Sequence, residues 1–163
     1  MTWYTEITKN LSKIPDALAH FETEYESARR ECGLKGNLEK HASSMPGIVE
    51  HRWNQLQELE AVLEHLNIQL RRVKTKHYKK YLENYARALS SRDAEKYAEG
   101  EDEVCDMEAL VNEWALMRNR WLGILKGLDQ ERVIHLMYTC ASNDDDQALS
   151  DADLMYMKSK KKK

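Results

Sequence analysis

The chain has 163 residues, 42% of them hydrophobic, with only six glycines and two prolines, and the span from Ile48 to Glu99 contains neither. Leu, Ala, Glu, Lys and Arg dominate over Val, Ile and Thr, which excludes a β-sandwich or doubly wound sheet and predicts an all-α protein with long helices. The formal net charge of −3 excludes a generally basic surface, but the charge is segregated along the chain.

Ile14-Pro15-Asp16 places proline where the first turn of a helix tolerates it. Ala17, Leu18, Phe21, Tyr25 and Ala28 then keep helical spacing until Gly33 stops the run. Residues 33–47 read as a connector with a short helix around Leu38 to Ala42. Ser43-Ser44-Met45-Pro46 reads as a new helix start, opening a main helix over about residues 47–89, roughly 64 Å long. Within it Leu56, Leu59, Leu63, Leu66, Leu70, Val73 and His77 alternate spacings of three and four. Such a seam must be covered by another helix in a hairpin or bundle, or by another subunit.

Ser90-Ser91 breaks the helix and caps a short one ending before Gly100. A second long helix is expected over about residues 106–128, with Leu110, Trp114, Met117, Trp121, Ile124 and Leu128 on one apolar face. Val111, Leu122 and Leu125 widen that face beyond a two-helix seam. A further helix, or a continuation, covers Asp129 to Cys140. Residues 1–141 are read as one helical domain and 142–163 as a disordered, charge-blocked tail with a local helix near Leu154 to Met157.

Eight cations (Arg71, Arg72, Lys74, Lys76, Lys79, Lys80, Arg87 and Arg92) face one acid, Glu83, so residues 71–92 carry 8 − 1 = +7 and the rest of the chain −10. Residues 99–108 hold six acids and no cation, and are read as a solvated linker that repels stray nucleic acid. The end repeats the contrast, with Asp144, Asp145, Asp146, Asp151 and Asp153 ahead of Lys158 and Lys160 to Lys163. A dense basic block in a near-neutral chain points to a local anionic partner. Tyr78, Tyr81 and Tyr85 share one helical face beside it, where they either close the core or offer stacking faces to bases. Single-stranded nucleic acid is favoured over duplex, since no helix-turn-helix or zinc finger is visible. The alternative is a non-catalytic helical adaptor whose basic stripe docks an acidic protein.

Catalytic and cofactor readings find little in the sequence. No histidine follows a glutamate by three residues, as a di-metal bundle needs. All-α nucleotide pyrophosphohydrolases pair a Glu-x-x-Glu motif with Glu-x-x-Asp. Only the second occurs here, at Glu99/Asp102 and Glu103/Asp106. A Walker loop, H-E-x-x-H and G-x-S-x-G are all missing. No enzyme, cofactor or metal site is expected. Cys32, Cys105 and Cys140 are far apart and form no C-x-x-C pair. With no leader signature and no apolar run of about 18 residues, they suggest a soluble protein of a reducing compartment, with no membrane partner.

Three stretches carry a family resemblance. They are His51-Arg52-Trp53-Asn54-Gln55-Leu56-Gln57-Glu58-Leu59-Glu60, residues 81–97 with Ala88-Leu89-Ser90-Ser91-Arg92-Asp93-Ala94-Glu95-Lys96-Tyr97, and residues 118–128 with Trp121-Leu122-Gly123-Ile124-Leu125-Lys126-Gly127-Leu128. Together they resemble the UvsY recombination mediators of large tailed phages, of the type carried by phages of marine cyanobacteria. The resemblance covers roughly Leu34 to Leu136. It implies a ring-forming helical protein, of six or seven subunits in the family, that binds single-stranded DNA in the cytoplasm of the infected bacterial host. It also implies help for a RecA-like recombinase in displacing single-strand-binding protein, with no catalytic site. Lys79, Lys80, Arg87, Arg92 and Lys96 occupy the region of the family's DNA contacts, and the Leu110–Leu128 face suits its oligomer interface. With Arg71, Arg72, Lys74, Lys76, Tyr81 and Tyr85, these residues make the expected DNA surface. Beyond Leu136 the chain departs from the family pattern.

Overall fold

The computed structural model describes residues 2–33, 38–84 and 89–160, with side chains at all of these except 38–42, 84, 132 and 135–160. Five α-helices appear among the described residues: α1 (Trp3–Lys9), α2 (Ile14–Glu31), α3 (Leu38–Asn84), α4 (Ser91–Glu99) and α5 (Asp102–Lys160). A 3-10 turn, Leu11–Lys13, links α1 to α2. The expected all-α class with a long central helix is what forms.

Local signals explain several boundaries. Pro15 sits in the first turn of α2, and Gly33, at φ 123°, follows its end in a left-handed conformation that glycine adopts without strain. Ser90 caps α4 by accepting from the Asp93 N–H, and Gly100 ends it. The short α1 was not anticipated. Thr2 caps it through the Thr5 N–H, and Ile7 is its one buried residue.

α3 begins at Leu38, not near residue 47, and carries Pro46 in its interior. An interior proline costs a backbone hydrogen bond and about 3 kcal/mol. Burial of Met45, with Ile48 and Val49 packed against the core, offsets that cost. α5 likewise runs to Lys160, beyond the expected end near residue 128 and through the expected disordered tail. No glycine or proline follows Gly127, and Gln147, Ala148, Leu149, Leu154, Met155 and Met157 are good helix formers. Backbone hydrogen bonding therefore continues where charge blocks alone suggested disorder.

α5 packs antiparallel on α3. Glu101 meets Lys80 near one end, and Arg118 meets Glu60 further along. α2 runs alongside α5, with Phe21 against Trp114 and Tyr25 against Trp121. This three-helix core buries Leu56, Leu59, Val62 and Leu66 of α3 against Phe21, Trp114, Trp121, Leu125 and Leu128. The seam read from the sequence is therefore covered within the chain, with Val62 added to it. The Trp114 indole N–H donates to the Leu59 carbonyl at 2.9 Å, satisfying the polar atom of a fully buried ring.

That packing corrects the expected oligomer interface. Trp114, Trp121 and Leu128 are fully buried in the protomer, Met117 and Ile124 nearly so, and Leu110 packs against the same core. The wide apolar face exists because α5 touches two neighbours, α2 and α3, not because it awaits another subunit. Among the described residues of α5, the large apolar side chains left exposed are Leu116, Val133 and Ile134.

Candidate nucleic-acid interface

The basic segment lies on the last third of α3, where the three-helix core has ended and α4 and the start of α5 fold back. Helical spacing splits its cations between two faces. Ile68, Arg71, Arg72, Thr75, Lys76 and Lys79 line an open groove of about 620 Å³. It recurs along the helix at spacings of three and four, so its cations form a stripe beside an apolar residue. Arg72 and Lys79 are exposed, and neither has a carboxylate within ion-pair distance among the described residues. Among the described residues, the carboxylate within ion-pair distance of Arg71 is that of the exposed Glu64, at 3.4 Å.

The edge of this groove, at Lys76, and the face beyond it are occupied from within the chain. Lys74 pairs with Glu108 at 2.6 Å, Lys76 with Glu103 at 2.8 Å and Lys80 with Glu101 at 3.1 Å. His77, almost buried, sets Nε2 2.8 Å from Glu103, while its Nδ1 lies 3.4 Å from Glu101 without hydrogen-bond geometry. The Tyr81 hydroxyl meets Glu101 at 2.7 Å. The acidic block is therefore not a solvated linker. Three of its six carboxylates lie on the basic helix because a short α4 hairpin joins two oppositely charged segments.

These contacts favour the charged forms of Glu101, Glu103 and Lys74. The Tyr81 hydroxyl, then Lys80, keeps the Glu101 carboxyl below its ordinary range; Lys76, then His77, does the same for Glu103. The hydrogen bond to Glu108 raises the Lys74 ammonium. Carboxyls depressed on folding stabilise the fold above their ordinary pKa near 4 and lose that contribution as pH falls through the depressed values.

Among the tyrosines, Tyr81 is half-buried and stacks on Tyr97 with centroids 5.5 Å apart, while Lys80 sits 5.5 Å over the Tyr81 ring. Tyr78 hydrogen-bonds Ser91 at 2.7 Å. Tyr78 and Tyr81 thus knit α3 to α4 and to the start of α5. Arg92 and Lys96 lie on the exposed surface of α4, whose buried residues are Ala94 and Ala98. Tyr85 and Arg87 fall outside the described residues. Of the expected DNA surface, Arg71, Arg72 and Lys79 are brought together in the groove, Lys76 lines its edge while paired with Glu103, and Lys74, Lys80 and Tyr81 face the acidic segment.

Opposite charge allows the acidic block to meet this surface from a neighbouring subunit, but sequence reasoning did not place Glu101, Glu103 and Glu108 on it within one chain. The available signal was two opposite charge blocks, residues 71–92 and 99–108, nearly adjacent and joined by a capped short helix. It also missed Arg52, buried on α3 between Glu24 and Glu31 of α2. Among the described residues, no three His, Cys, Asp or Glu side chains are placed to hold a metal ion, and no helix is long and apolar enough to cross a membrane. No protein-family model matches the chain, and neither the curated proteins nor the solved structures contain a match.

Proposed function

We propose that this chain is a non-catalytic, single-stranded DNA-binding recombination mediator of the UvsY type. The observation that carries the reading is the outward cationic groove of Arg71, Arg72 and Lys79, with Lys76 at its edge. Its helical stripe matches the repeat of a phosphodiester backbone better than that of a compact ligand, and cations there would release condensed counterions on binding. The resemblance across residues 34–136 supports the same assignment. Self-association into a ring would multiply a modest stripe into a high-avidity surface. The mediator would then favour a DNA shape suited to a RecA-like recombinase over one held by single-strand-binding protein. With no Walker loop in the chain, the free energy for exchange would come from differential binding and from the recombinase's nucleotide cycle.

The test is a displacement assay. On an oligonucleotide coated with single-strand-binding protein, stoichiometric mediator should shorten the lag of recombinase filament assembly several-fold. An unchanged lag contradicts the reading. The adaptor alternative is favoured by one observation: α3 already accepts protein carboxylates, those of Glu101, Glu103 and Glu108. A protein that leaves single strands unbound but captures an acidic peptide would support it.

A further inference from the structure

We propose that the acidic segment from Glu101 to Glu108 is a built-in competitor for polyanions, which withholds Lys74, Lys76 and Lys80 and so limits the affinity and salt dependence of the groove. This rests on the nucleic-acid-binding reading above and adds its regulation.

Three observations support it. The first is register: Lys80, Lys76 and Lys74 meet Glu101, Glu103 and Glu108 in antiparallel order, each within 3.1 Å. Carboxylates so spaced along a cationic helix stand where phosphates would otherwise lie, and a phosphate approaching Lys76 would meet Glu103 on the same ammonium group. The second is exposure. The Lys76–Glu103 pair leaves both side chains about half exposed or more, at 66% and 49%, and exposed pairs weaken as salt rises. The fold does not depend on them, because the start of α5 is anchored by the fully buried Val104 and, further on, Trp114. The third is the placement of the carboxylates. The nearly buried His77 presents ring nitrogens to Glu101 and Glu103, and the Tyr81 hydroxyl reaches Glu101. The carboxylates are therefore seated on the helix in a defined arrangement. Arg72 and Lys79, a fraction of a turn away around α3, have no such partner among the described residues.

The experiment compares the full chain with its E101Q/E103Q/E108Q variant, binding a fluorescent oligothymidylate over a range of salt. Releasing three lysines to phosphates should steepen the slope of log affinity against log salt by about 2, since each phosphate on a single strand contributes about 0.7. Affinity at low salt should rise about tenfold or more. E108Q alone, which frees only Lys74, should steepen the slope by about 0.7, so the test survives if the triple variant folds poorly. A charge-matched control, D16N/E22Q/E26Q on α2, should leave the slope unchanged. An unchanged slope in the E101Q/E103Q/E108Q protein, or an equal gain in the control, overturns the proposal while wild-type binding still stands. If neither wild type nor variants bind the strand, the nucleic-acid reading itself has failed.

Discussion

Replacing Arg71, Arg72 and Lys79 together by glutamate lowers affinity for a single-stranded oligonucleotide about 100-fold at moderate salt, roughly 2.7 kcal/mol. The three side chains line the groove and form the part of the basic face that the acidic segment does not neutralise. Reversal removes three phosphate contacts and adds repulsion, so the loss exceeds what neutral alanines would cause. All three residues are exposed and lie outside the buried core, so thermal unfolding should move little, which separates a lost surface from a lost fold. The measurement is fluorescence anisotropy alongside a far-ultraviolet circular dichroism melt. Affinity within twofold of wild type would remove these residues from the site.

The second large effect lies at Arg52, in the bundle and away from the groove. Its guanidinium is almost wholly buried. Nε donates to Glu31 and one terminal nitrogen to both Glu24 and Gln55, each at 2.8 Å, while the other nitrogen completes a two-pronged contact with Glu31. The same group lies 5.7 Å from the Trp121 ring, so it ties α2, α3 and α5 together at one point. Hydrogen bonds from Gln55, then Arg52, hold the Glu24 carboxyl below its ordinary range. Arg52→Ala leaves two acids of α2 without their cation beside a buried void and should cost about 3 kcal/mol. For a chain of this size that is a fall in Tm of roughly 10 °C. Arg52→Lys should recover only part of it, because an ammonium cannot reproduce the planar fork. A fall of less than about 2 °C for Arg52→Ala would show that the cluster is not a major tie in the bundle.

These two sites differ in how readable they are from sequence. The seam of α3 was legible because leucines at alternating spacings of three and four have few other uses. Ser90 before α4 and Gly33 after α2 were legible because capping and left-handed backbone demand particular residue types. Arg52 gave no local signal: its partners lie 21 and 28 residues away, and its burial follows from tertiary packing alone. The Leu110–Leu128 row shows the complementary difficulty. Periodicity reveals that a face is apolar, but not whether the same chain or another covers it. Counting eight cations against one acid likewise overstated the accessible charge, since the neutralising carboxylates sit on a different helix.

The central claim, that the groove on α3 binds single-stranded nucleic acid through its phosphates, is tested most directly by titrating the wild-type protein into a labelled oligothymidylate from about 50 to 300 mM salt. Three accessible cations predict saturable binding whose log affinity falls with log salt with a slope of about −2 per protomer. No binding at the lowest salt, or binding indifferent to salt, would contradict the account.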